Sequence, residues 1–214
     1  MKATKHHISD EMLIAYSAGT LPEAFALVVA AHVSMCDGCR TTLSAFDAVG
    51  GAVLERCSAV KVSDGCLAAT LARIARGDAP RRPECCKDAV LPKPVVDYVG
   101  GGLDAVRWRP ISGGARQAVL CADKAATARL VYLPAGSAVP DHSHRGIELT
   151  LVLKGAFRDE TGHFAPGDVE TSAEELTHRP VAEPGAPCIC LTATEAPLRY
   201  RSLLVRILQP FLHI

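Results

Sequence analysis

The sequence carries no net charge, no apolar run long enough to cross a bilayer and no even set of cysteines. Each absence removes a class of function. Lys and Arg total 23 and so do Asp and Glu, so there is no surplus of positive charge to track a phosphate backbone. The first 79 residues keep that balance, with seven basic residues (Lys2, Lys5, Arg40, Arg56, Lys61, Arg73, Arg76) against eight acidic ones (Asp10, Glu11, Glu23, Asp37, Asp47, Glu55, Asp64, Asp78). A protein partner suits such a surface better than a nucleic acid. The longest uncharged apolar run, Ala24 to Val33, falls far short of the roughly 20 residues a membrane helix needs. Nine cysteines is an odd count, and the opening Met-Lys-Ala-Thr-Lys-His-His has no apolar signal core behind it. A reducing cytoplasm is the expected setting, where metal or redox use of thiols is favoured over a disulfide framework.

The 214 residues, 49% hydrophobic and 21% charged, suffice for one large or two small globular domains. The most informative stretch is His32-Val33-Ser34-Met35-Cys36-Asp37-Gly38-Cys39. If the apolar helix that begins near Pro22 continues through it, positions i, i+4 and i+7 fall within a wedge of roughly 60°. His32, Cys36 and Cys39 then share a face, which is three-quarters of a tetrahedral zinc site. The fourth donor has to come from elsewhere, and His6 and His7 are the nearest histidines in sequence. A Cys-x-x-Cys redox pair would instead expect a strand leading into a helix.

Ser9 or Asp10 caps a first helix to about Ala18, with Gly19 as its stop. Thr20-Leu21-Pro22-Glu23 has the form of a capping box opening a second helix, Ala24 to Cys36, that Asp37 and Gly38 kink or restart. A third helix runs from about Arg40 to Cys57, its stripe made of Leu43, Phe46, Val49, Val53 and Leu54. Gly50-Gly51 in its middle implies close packing against a neighbour. Ser63-Asp64-Gly65 caps a fourth helix to about Arg76, ended by Gly77. Leu67, Leu71 and Ile74 line one side of that helix, facing either the core or a partner.

From Gly77 to Pro94 the prolines at 80, 83, 92 and 94 exclude helix and central strand. This stretch reads as a linker, with Cys85 and Cys86 exposed in it. Beyond Pro94 the pattern turns to period two. Strands are expected at Val106–Ile111, Arg116–Cys121, Ala128–Leu133, Glu148–Phe157, Val169–Thr171, Arg179–Ala182, Cys188–Ala193 and Leu198–Leu203. Short strands at this spacing indicate a sandwich or barrel, and the apolar tail Leu203 to Ile214 can pack back onto it. His163 with Pro166-Gly167-Asp168 reads as a turn.

A second histidine set lies in this half: Gly136-x5-His142-x-His144-x3-Glu148-x6-Gly155. His142 and His144 share a strand face. Glu148 opens the next strand, and His178 can complete a three-His, one-carboxylate set. These donors suit zinc, iron, manganese or nickel without choosing among them. Cys188 and Cys190 also share a face, roughly 6.5–7 Å apart along an extended strand, at or past the reach of an unstrained disulfide. Structural thiols and a redox pair remain the two readings.

The leading His followed by His32-x3-Cys36-x2-Cys39 resembles the zinc-binding anti-sigma domain, and Gly136 to Gly155 resembles the first cupin motif at every defining position. The second cupin motif is partly present in Gly162, Pro166 and Gly167, with His178 further downstream than usual. Over nearly the whole chain the domain order is similar to the ChrR-type anti-sigma family, including His6-His7, Asp141 to Gly146 and Cys188-Ile189-Cys190. The resemblance implies a multidomain α + β chain. A zinc-binding four-helix anti-sigma domain (1–78), a Pro-rich linker (79–95) and a metal-binding antiparallel β-barrel of cupin type (96–214) follow one another. It implies zinc on His7, His32, Cys36 and Cys39, and zinc or another divalent transition metal on His142, His144, Glu148 and His178. The implied function is non-enzymatic: inhibition of an extracytoplasmic-function (ECF) sigma factor, released when the cupin half senses singlet oxygen or a related oxidant. The competing reading is a metal-dependent cupin enzyme of dioxygenase type with an accessory helical domain.

Overall fold

In the computed structural model the described residues are 4–77, 88–139, 142–143, 145–173, 177–196 and 199–200. The helices are α1 (Asp10–Ser17), α2 (Glu23–Met35), α3 (Asp37–Glu55), α4 (Cys66–Ala75) and α5 (Lys93–Val99), with a 3-10 turn at Leu103–Ala105. The strands are β1 (Arg109–Pro110), β2 (Arg116–Ala122), β3 (Thr127–Leu133), β4 (His142–Ser143), β5 (Glu148–Lys154), β6 (Phe157–Arg158), β7 (His163–Phe164), β8 (Val169–Ser172), β9 (Thr177–His178), β10 (Val181–Ala182), β11 (Cys188–Thr194) and β12 (Arg199–Tyr200). Cys85, Cys86, His144 and the Leu203–Ile214 tail lie outside the described residues, as does most of the expected strand Leu198–Leu203.

The strands form a six-stranded sheet in the order β1-β2-β3-β11-β5-β8 and two three-stranded sheets, β10-β6-β7 and β12-β4-β9. All their pairings are antiparallel. On the inner face of the large sheet Val152, Cys188 and Cys190 form a core with Phe157, Phe164 and Ala182 of the β10-β6-β7 sheet. The alternate residues Leu130, Leu149, Leu151, Ile189 and Leu191 belong to a second core with Phe25, Val28 and Val29 of α2 and Val95 of α5. The large sheet is therefore covered on both sides. Alternation in β5 disappears from the burial pattern as a result, and every residue from Glu148 to Leu153 is buried.

Helix α2 is buried on nearly all sides, as an all-round apolar helix must be. The capping box expected at its start does not form. Pro22 occupies the N-cap with no side-chain bond, Thr20 donates its hydroxyl to Ala15 O instead, and Glu23 accepts from Tyr98 of α5 at 2.7 Å. Ser9 caps α1 as expected, accepting from Met12 N. Helix α4 begins after Gly65 with no side-chain cap, which departs from the Ser63-Asp64 expectation.

Helix α5 begins within the stretch read as helix-free. Pro92 precedes it and Pro94 sits in its first turn, where a missing N–H costs nothing. His163, read as part of a turn, is instead in β7, paired with β6. Gly50 and Gly51 contact nothing that a Cβ would meet within 4 Å, so the neighbour expected there is not supplied by the described residues of this chain.

Candidate metal centre

The apolar helix does not run through the Cys-x-x-Cys segment. It ends at Met35, and Cys36 is extended (φ −116°, ψ 109°), serving as both the end of α2 and the start of α3. The expected single helical face is therefore replaced by a break, and Asp37 restarts the helix. The donors converge all the same. The four donor atoms of His7, His32, Cys36 and Cys39 lie within 4.8 Å of one another. The His7 Nδ1 stands 3.3 Å from Cys36 Sγ and 3.5 Å from Cys39 Sγ. A tetrahedral zinc with ordinary bond lengths sets its sulfur and nitrogen donors about 3.5 Å apart.

His6, the other candidate, points elsewhere, with its ring 4.5 Å from Phe164. His32 is fully buried. Its Nδ1 donates to Gly167 O at 3.0 Å, and its Nε2 has no hydrogen-bond partner among the described residues. An orphaned imidazole nitrogen beside two thiols is the mark of a site that suits a cation. Burial pushes His32 down to about 4, leaving a neutral ring fit to ligate. Burial and the neighbouring Cys36 push the Cys39 thiol up to about 11. A bound cation reverses that preference, since it favours the thiolate.

In the barrel, His178 Nδ1 lies 2.7 Å from Asp159 Oδ2 and 3.0 Å from Glu170 Oε1, all three side chains almost wholly buried. Burial pushes Glu170 up to about 7. Burial alone would lower His178, but Glu170 and Asp159 outweigh it and raise the imidazole to about 9. Asp159 and Glu170 were missed in the sequence. The only available signal was that Glu170 and Ser172 share an inward strand face.

Of the expected cupin ligands, His142 stands opposite His178 in the β4–β9 register, with its side chain outside the description. His144 lies outside it altogether. Glu148 is buried and accepts from Thr150 Oγ1 at 3.0 Å. It falls outside the described group formed by Asp159, Glu170 and His178. The Cys188 and Cys190 sulfurs lie 3.6 Å apart, both thiols free and buried. The Cys190 thiol is pushed well up by its hydrogen bond with Cys188 and by burial, so it is a poor nucleophile as it stands.

Fold and site together define a class: a helical module with a His/Cys donor tetrad, built onto one face of a cupin-like antiparallel barrel. Residues 99–197 match the family described as the ChrR cupin-like domain. The chain is 53% identical over 210 residues to the anti-sigma-E factor ChrR of Cereibacter sphaeroides, covering 98% of this chain and 99% of that one. The crystal structure of Rhodobacter sphaeroides SigE in complex with the anti-sigma ChrR matches with a TM-score of 0.78 at 52% identity, over 90% of this chain and 99% of that one. The chain belongs to the ChrR family of anti-sigma factors. Among the described residues no helix is long and apolar enough to cross a membrane.

Proposed function

We propose that the chain is a cytoplasmic, non-enzymatic regulator that binds and inhibits an ECF sigma factor and releases it on singlet oxygen or a related oxidant. The observation that carries this reading is the apolar surface from α3 to α4. Val49, Val53, Leu54, Val60, Val62, Leu67, Leu71 and Ile74 are each more than half exposed, and α4 buries none of its residues. A chain on its own rarely leaves so much apolar surface in one stretch of sequence. The relative of known structure is held in a complex with SigE, which supports a sigma factor as the occupant.

In this reading residues 1–78 form the sigma-binding part, 79–95 the linker and 96–214 the sensing barrel. His7, His32, Cys36 and Cys39 hold zinc, which ties the N-terminal segment to the α2–α3 junction in a region too small to be robust by its own core. His142, His144, Glu148 and His178 hold zinc or another divalent transition metal in the barrel. Oxidation at that centre or at Cys188 and Cys190 would disturb the sheet on which α2 lies. The test is to co-express the chain with the ECF sigma factors of its own genome, purify the complex and measure its metals. A one-to-one complex with zinc, dissociated by singlet oxygen, is expected. A chain that captures none of these sigma factors would overturn the reading.

A further inference from the structure

We propose that the barrel's Gly167–Asp168 turn is part of the metal centre of the helical module, holding two of its four donors in position. The inference rests on the reading of His7, His32, Cys36 and Cys39 as a zinc site. It arises from hydrogen bonds that span more than 130 positions of sequence. The Gly167 carbonyl accepts the proton of His32 Nδ1 at 3.0 Å. Asp168 Oδ1 accepts from the backbone amides of Lys5 at 2.6 Å and His6 at 3.0 Å. Val169 N donates to His6 O at 3.1 Å, so the residue preceding His7 is clamped on both of its backbone groups.

The turn is itself fixed to the barrel. Gly167 N donates to Val152 O at 2.9 Å and Val152 N to Asp168 O at 3.0 Å. Asp168 Oδ2 accepts from Ala165 N at 2.9 Å. Gly167 adopts φ +95°, and a Cβ there would meet Thr4 Oγ1 at 3.0 Å, so the N-terminal segment lies directly on the turn.

The consequence is chemical as well as spatial. A ring nitrogen committed to a carbonyl fixes the tautomer and leaves the other nitrogen for the metal. His32 therefore ligates through Nε2, whereas His7 turns Nδ1 toward the two sulfurs. Partners that orient metal ligands typically change affinity about 10- to 100-fold when removed. Because the coupling is reciprocal, a barrel that shifts at this turn loosens the zinc, and loss of zinc loosens the N-terminal segment from the barrel.

The test uses the full-length, zinc-loaded chain. Zinc affinity is measured by competition with a chromophoric chelator for the parent, Asp168→Ala, Asp168→Asn and Cys39→Ser. Asp168→Ala is expected to bind zinc about 10- to 100-fold more weakly. Asp168→Asn keeps an oxygen for the two amides but turns an NH2 toward Ala165 N, where Oδ2 accepts in the parent, and is expected to recover part of that loss. Long-range proton–nitrogen NMR on the parent is expected to show His32 metallated at Nε2 and protonated at Nδ1, a readout that needs no variant to fold. Unchanged affinity in Asp168→Ala, or His32 metallated at Nδ1, overturns the inference. Should Cys39→Ser retain zinc as tightly as the parent, the tetrad reading fails and takes this one with it.

Discussion

The Cys36 sulfur lies 3.3 Å from His7 Nδ1, joining the N-terminal segment to the junction of two helices. In the proposed zinc site the ion would bridge those pieces here, in addition to the packing of Ile8 and Leu13 in the core, because Cys36 lies between the two helices. Replacing Cys36 with Ser is expected to abolish stoichiometric zinc at this site and to lower the thermal midpoint. Metal analysis and calorimetry with and without chelator check it, since chelation should then lower the midpoint of the variant less than that of the parent.

The exposed side of α4 should matter to the partner and little to the free chain. Leu71→Glu with Ile74→Glu alters two side chains that are 56% and 70% exposed. The free chain is expected to change by no more than about 0.5 kcal/mol per site. Binding to the sigma factor is expected to weaken by about 2 kcal/mol or more, the range of interface anchors. Thermal denaturation of the free chain checks the first expectation and calorimetric titration against the sigma factor the second.

Leu191 is fully buried in the core shared by the large sheet and α2. Truncation to Ala is expected to cost about 2–5 kcal/mol. It should also loosen α2 against the sheet, so amide exchange in α2 should accelerate more than in β6 and β7, which pack in the other core.

Asp88 accepts from Val90 N at 2.7 Å and Leu91 N at 2.8 Å ahead of α5, and from Leu103 N at 2.7 Å beyond it. Partial burial would raise its carboxyl, but these amides outweigh that and hold it below the usual carboxylate value of 3.8. A depressed carboxylate contributes stability that is present above the unfolded value and lost as pH falls through the folded one. The parent should therefore lose stability below about pH 4 in a way that Asp88→Asn does not. Denaturation midpoints across pH 2.5–6, on the order of one proton's linkage, check it.

The tetrad was legible in the chain because three of its donors lie within eight positions, even though the local backbone is a break and not one helix. His7 was reached from sequence only by resemblance, since His6 is equally near. Most strands could be read from period-two patterns and turn residues. Gly155 closes the first cupin motif for a reason visible only in space: φ is +71°, and a Cβ would lie 2.4 Å from Pro187 O. Asp159 and Glu170 could not be found, because they meet His178 only after β6, β7 and β8 have paired.

The sequence by itself determined the kinds of element and the first donor set: apolar helices carrying His and Cys donors, then short alternating strands. Local periodicity and spacing encode such features, because they depend on residues within a turn or two of one another. Tertiary structure alone decided that α2 would cover the outer face of the large sheet, and that a barrel turn would hold His32 and the residues before His7. Those contacts join positions far apart in the chain, and no local pattern records which distant backbone carbonyl a buried imidazole will meet.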